Sequence, residues 1–124
     1  MTQPLALVFY EKLLPGTQIL NRLQDIGYRV QAVNDFDSFV LRANQDKPML
    51  AIADLNSTRS NVPMAIRSLR QNPATTHLPI IGFCDDKHVK LQEEARNAGA
   101  TLVVNDSTIL NHLQQFLDQA LHID

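Results

Sequence analysis

Short apolar runs of strand length alternate along the chain with longer stretches whose apolar residues recur every three or four positions. Leu5 to Tyr10 predicts the first strand. Pro15-Gly16-Thr17 opens a helix with an inward stripe of Ile19, Leu20, Leu23 and Ile26, and Gly27 is placed to end it. Tyr28 to Val33 reads as a second strand, and Asn34-Asp35 offers a cap to a helix carrying Phe36, Phe39, Val40 and Ala43, which stops before Pro48. Met49 to Ala53 is almost continuously apolar, as a central parallel strand is, and Asp54 interrupts it at its carboxyl end. After a loop to about Val62, Pro63 suits the first turn of a third helix. Its Met64, Ala65, Ile66 and Leu69 are expected to face the sheet, and Arg67 and Arg70 to reach solvent. A polar loop, Gln71 to His77, leads to a strand at Leu78 to Cys84. A weakly amphipathic helix over Asp86 to Ala98, a strand at Thr101 to Val104 and a last helix over Ser107 to His122 complete the pattern. Strands that alternate with helices in this way predict an α/β domain, a doubly wound parallel sheet of five strands with five helices on its two faces.

Composition narrows what such a domain does. The 124 residues are 44% hydrophobic and 19% charged, with a formal net charge of −2, which fits one domain spanning 1–124. No apolar run approaches the ~20 residues of a membrane-spanning helix. The first residues, Met-Thr-Gln-Pro, lack a secretory signal, and Cys84 has no second cysteine to pair with, so a cytoplasmic location is expected. Gly16, Gly27, Gly82 and Gly99 are too scattered for a Gly-rich phosphate loop. Lys and Arg are dispersed among the acids, so no nucleic-acid footprint is expected.

Around this frame the residues themselves resemble the receiver domain of bacterial two-component response regulators. The resemblance covers essentially the whole chain. It is carried by Pro48-Met49-Leu50-Ala51-Ile52-Ala53-Asp54-Leu55, by Ile66-Arg67-Ser68-Leu69-Arg70, by Asn72-Pro73-Ala74-Thr75-Thr76-His77-Leu78-Pro79-Ile80-Ile81 and by Ala98-Gly99-Ala100. It implies a flavodoxin-like sheet of order 2-1-3-4-5, with a pocket at the carboxyl ends of the strands where a histidine kinase places a phosphoryl group on an aspartate beside Mg²⁺.

The resemblance puts the phosphoacceptor at Asp54. Elsewhere the pocket departs from the receiver pattern. The acidic pair falls on Tyr10 and Glu11, leaving one carboxylate; the Thr or Ser position falls on Cys84, a poor donor to a phosphoryl oxygen. The Lys position falls on Asp106 and the following proline on Ser107. Ser57-Thr58 replaces the usual Met-Pro, and Val103 stands at the aromatic switch position. The reversal at Asp106 weighs most, because a unit charge ~5 Å from another contributes on the order of 3 kcal/mol at an effective dielectric near 20. The expected function is therefore a degenerate pseudo-receiver that works as a protein-interaction module and not as an enzyme. The alternative is a working receiver phosphorylated on Asp54, with Mg²⁺ on Glu11 and Asp54.

Three further readings stand beside these. Glu11, Asp54 and Asp106 together are a candidate site for Mg²⁺ or another divalent cation, and Asp54 alone has the plainer reading of an acid capping its own loop. Cys84 is a candidate thiol nucleophile, against the ordinary reading of a buried structural cysteine. On the last helix, Ile109, Leu113, Phe116 and Ala120 form the expected inner stripe, and Leu110, Leu117 and Leu121 widen it along one flank. That flank is the candidate surface for a protein partner or homodimer across helix four, strand five and helix five, unless the helix is simply more deeply buried.

Overall fold

The computed structural model describes residues 3–11, 13–56 and 61–121. The elements in chain order are β1 (Leu5–Phe9), α1 (Leu13–Ile26), β2 (Arg29–Val33), α2 (Phe36–Asp46), β3 (Leu50–Asp54), α3 (Val62–Gln71), β4 (Ile80–Cys84), α4 (Val89–Ala98), β5 (Leu102–Asn105) and α5 (Leu113–Leu121). All neighbouring strands pair in parallel, in the order β2-β1-β3-β4-β5 expected of the doubly wound sheet.

Alternation along each strand divides the core in two. Leu7, Phe9, Ala51, Ala53, Ile80 and Cys84 point to the side covered by α2, α3 and α4, where the rings of Phe9 and Phe39 meet with centroids 5.5 Å apart. Ala6, Val8, Leu50, Ile52, Ile81 and Phe83 point to the side of α1 and α5, against Ile19, Leu23, Leu113 and Leu117. The central strand β3 is buried along its whole length, as the unbroken apolar run requires.

Helix ends follow local chemistry. The Asp35 carboxylate accepts the Ser38 N–H at 2.7 Å and starts α2, and the Asn61 side chain accepts the Met64 N–H at 3.1 Å and starts α3. Gly27 and Gly99 take positive φ where α1 and α4 end. α1 begins two residues before Pro15, which the first turn tolerates because its amides have no helical partner.

Several expected boundaries and faces shift. α4 starts at Val89 rather than Asp86, because the Asp85 carboxylate accepts the Lys87 N–H at 2.9 Å and its carbonyl the His88 N–H at 3.1 Å, closing a turn instead of a helix. α5 starts at Leu113 rather than Ser107. Asn105 gathers the chain after β5 into turns, its carbonyl accepting from Thr108 and Ile109 N–H and its side-chain oxygen from Ser107. Met64 faces outward at 57% exposure, since the stripe Val62, Ala65, Ile66, Leu69 fills the inner face of α3. Arg70 does not run to solvent. Its Nε donates to the Gly99 carbonyl at 2.8 Å, one terminal nitrogen to the Thr76 and Leu78 carbonyls, and the other to Thr101 Oγ1. Leu117, expected on an exposed flank, is 1% exposed: Ile109, Leu113, Leu117 and Ala120 make the inner stripe, while Phe116 lies half-buried beside it. Ser57, Thr58 and His122 lie outside the described residues.

Candidate functional site

The sheet brings the ends of β1, β3, β4 and β5 to one edge, where the chain leaves each strand for its loop. Asp54 closes β3. It points to the same side as Leu50 and Ile52 and is buried at 3% exposure, accepting the Asn56 N–H at 2.9 Å in an Asx-type turn. Leu55 packs on the opposite face against Gly82 of β4, and its N–H bonds the Phe83 carbonyl at 2.9 Å. The pleat thus aims the carboxylate one way and anchors the next residue the other way. The side-chain oxygen of Asn56 is buried and accepts no hydrogen bond from the described residues, a feature that the sequence pattern did not signal.

Tyr10, at the first position of the expected acidic pair, turns back onto α1. Its ring occupies the space that a side chain on Gly16 would need, and it packs at the margin of the core. Glu11 is half-buried and, with Tyr10, Ala32, Val33 and Asn34, lines a cavity of about 270 Å³ toward the end of β2.

Cys84 ends β4 with its thiol buried on the α3–α4 side. Burial pushes the thiol pKa up; the Gln92 side chain, hydrogen-bonded to it, opposes the rise, and the charges of Asp106, Asp54 and Asp85 add to it. The sulfur is therefore held as a neutral thiol, the reverse of what a nucleophilic cysteine requires. Asp106 follows β5, its N–H bonded to the Cys84 carbonyl at 2.9 Å. Ser107 is exposed, its N–H and hydroxyl both 2.8 Å from Asn105 Oδ1.

Asp54, Asp85 and Asp106 thus all act on the end of β4, whereas the proposed cation trio does not assemble. Among the described residues no group of three or more His, Cys, Asp or Glu side chains is placed to hold a metal ion. β5 lies three strand spacings, roughly 14 Å, from β1, too far for an aspartate and a glutamate to share one ion from those ends. Mg²⁺ takes a nearly octahedral set of oxygens. Glu11 borders the β2 side and Asp106 the β4 side of Asp54, so the three do not converge on one ion.

No protein-family model matches the chain, and no curated protein matches it. Solved structures do. The receiver domain of a sensor histidine kinase from Pseudomonas aeruginosa, with a magnesium ion coordinated in its active-site cleft, superposes with a TM-score of 0.87 at 21% identity, covering 97% of this chain and 98% of that one. The receiver domain of NtrX from Brucella abortus gives 0.85 at 17% identity over 96% and 99%. The chemotaxis response regulator CheY4 of Vibrio cholerae gives 0.77 at 21% identity over 92% and 98%. The chain has the receiver fold.

Proposed function

We propose that this chain is a receiver-like signalling domain of two-component type whose phosphorylation pocket is degenerate, and that it works through protein–protein contacts rather than by phosphoryl transfer. The observation that carries the proposal is Asp106. At the end of β5, where the resemblance to receivers calls for a lysine, stands a carboxylate whose charge, with those of Asp54 and Asp85, acts on the end of β4. Electrostatic stabilisation of a transferring phosphoryl group requires positive charge at that place. The packing of Tyr10 on Gly16 supports the same reading, since it commits one expected acidic position to the core margin. Catalysis is not part of the proposal, and Cys84 serves as a packed core residue.

The partner surface is the half-buried flank of Leu110, Phe116 and Leu121 beside Leu102 and Val104 of β5; Leu117 lies beneath it. Its apolar character fits a protein partner or a second copy of the chain, not nucleic acid. A histidine kinase is the partner of the alternative reading, which rests on Asp54 standing at the end of β3. Among the described residues no helix is long and apolar enough to cross a membrane, which accords with a cytoplasmic place of action.

The test is treatment with acetyl phosphate, or with beryllofluoride, in the presence of Mg²⁺. The expected result is no adduct in intact mass and no change in amide spectra, with Asp106→Lys gaining a beryllofluoride response that the parent lacks. A response of the parent chain that Asp54→Asn abolishes would overturn the reading and install the working receiver in its place.

A further inference from the structure

At the opposite end of the sheet from Asp54, where the chain enters β3 and β4, lies a cleft of about 310 Å³. Its walls are Ala43 late in α2, Pro48 before β3, and Pro73, Leu78 and Pro79 of the link from α3 to β4. Lys47 and His77 also line it, and both are exposed, so they stand at its rim. The shape is set by the chain itself. The Asn72 amide donates to Asn44 Oδ1 at 3.0 Å, tying α3 to α2, and the Asn72 side-chain oxygen accepts the Ala74 N–H at 3.0 Å. The Thr75 hydroxyl, buried, donates to the Leu69 carbonyl at 2.6 Å, and the Arg70 guanidinium holds the Thr76 and Leu78 carbonyls. Each proline fixes its own φ. Walls held in this way have little freedom to lose when a ligand enters.

Lys47 indicates what the cleft takes. Its φ of 47° and ψ of 61° put it in the left-handed region at the C-terminal cap of α2, a place where glycine sits without strain, as Gly27 and Gly99 do where α1 and α4 end. A side chain is carried here at a conformational cost, and that side chain lines the cleft. Among the described residues no acid lines it, and the adjacent Asp46 is ion-paired with Arg42 at 3.9 Å. His77 adds an imidazole N–H, a donor in either protonation state. We propose that this cleft binds a small organic acid, with a compact apolar body between the prolines and its carboxylate at Lys47 and His77. The volume stands at the low end of the ~300–1,000 Å³ of small-molecule sites, which suits an occupant of one ring or one branched chain. The site lies the length of β3 away from Asp54, and binding there is independent of whether Asp54 accepts a phosphoryl group.

Phenylpropionate is the probe, added to the whole isotope-labelled chain and followed by amide spectra. The expected result is saturable shifts at Lys47, Ala74, Thr75 and Leu78, with a Kd of ~1 mM or tighter. Phenylpropanol, which keeps the ring and lacks the charge, should bind about fivefold more weakly, and acetate, which keeps the charge alone, should not saturate. Lys47→Gly should weaken binding of the acid about fivefold while the thermal midpoint holds or rises, because glycine is at ease at that φ. Shifts that grow linearly without saturation, shifts centred on other residues, or equal binding of acid and alcohol would each overturn the site, and these comparisons need no variant. A Lys47→Gly chain that binds like the parent would overturn it too, and so would a midpoint that falls, which would assign the lysine to packing.

Discussion

At Gly16 the absence of a side chain decides where Tyr10 goes. The ring fills the site that a β-carbon would take, so Gly16→Ala forces either the helix or the ring to move, an overpacking cost of about 1–3 kcal/mol. The check is a double-mutant cycle: Gly16→Ala should lower the thermal midpoint in the parent and do so much less with Tyr10→Ala, since the clash is then gone. Cys84 gives a second prediction at this scale. Its folded-state pKa lies above that of the unfolded chain, because burial disfavours the thiolate. As pH rises through the ordinary thiol value of 9.0, the unfolded chain sheds its proton first. Stability that is complete below that value is therefore lost as pH climbs toward the folded pKa. Tyr28, raised by burial and then by Asp118, adds a like loss starting from 10.0. Urea titrations at neutral and alkaline pH should show a smaller alkaline loss for Cys84→Ala than for the parent; equal losses would contradict the assignment.

At the scale of elements, Arg70 joins the end of α3 to the turn before β4 and to the junction of α4 with β5. Burial lowers its pKa, yet guanidinium remains charged at any ordinary pH. Arg70→Met should cost about 2–3 kcal/mol in chemical denaturation, and Arg70→Lys should recover little, because one ammonium cannot reproduce a planar fork that reaches four acceptors. Leu117→Glu should collapse the thermal midpoint, since it buries a carboxylate among Ile109, Leu113 and Ala120. Periodicity alone left that residue undecided. Both Phe116 and Leu117 continue a helical stripe from Leu113, and only the packing of α5 on the sheet selects between positions 100° apart. The strands were legible because a buried parallel strand must be apolar at every position, as Leu50 to Ala53 is. Helix starts were less so. Asp85 and Asn105 make turns whose hydrogen bonds compete with a helical first turn, and composition does not reveal which wins.

For the whole molecule, the strand order itself follows from the alternation of elements, and with it the place of the site at one edge of the sheet. The identities at the strand ends were readable as residues, but their grouping was not. Glu11 and Asp106 share that edge on paper, yet the distance across the sheet separates them, while the charges of Asp54, Asp85 and Asp106 each act on the Cys84 thiol. The sheet also serves as the common floor of both cores, so neither layer can melt without exposing the other's strands. Unfolding should therefore be a single transition, with tyrosine fluorescence and helical circular dichroism superimposing in urea. Two separated midpoints would show that the layers fold apart.

The seat of Leu55 on Gly82 carries a final consequence. Asp54 and Leu55 are consecutive and point to opposite faces of the sheet, so the packing of one holds the stretch of backbone that presents the other. A methyl group added at position 82 would meet Leu55 at about 3.0 Å, and that side chain would have to give by a few tenths of an ångström. The strand-three carboxylate is thus backed by a contact on the other face of the sheet, which a change at position 82 alters while every acid at the mouth of the site stays in place.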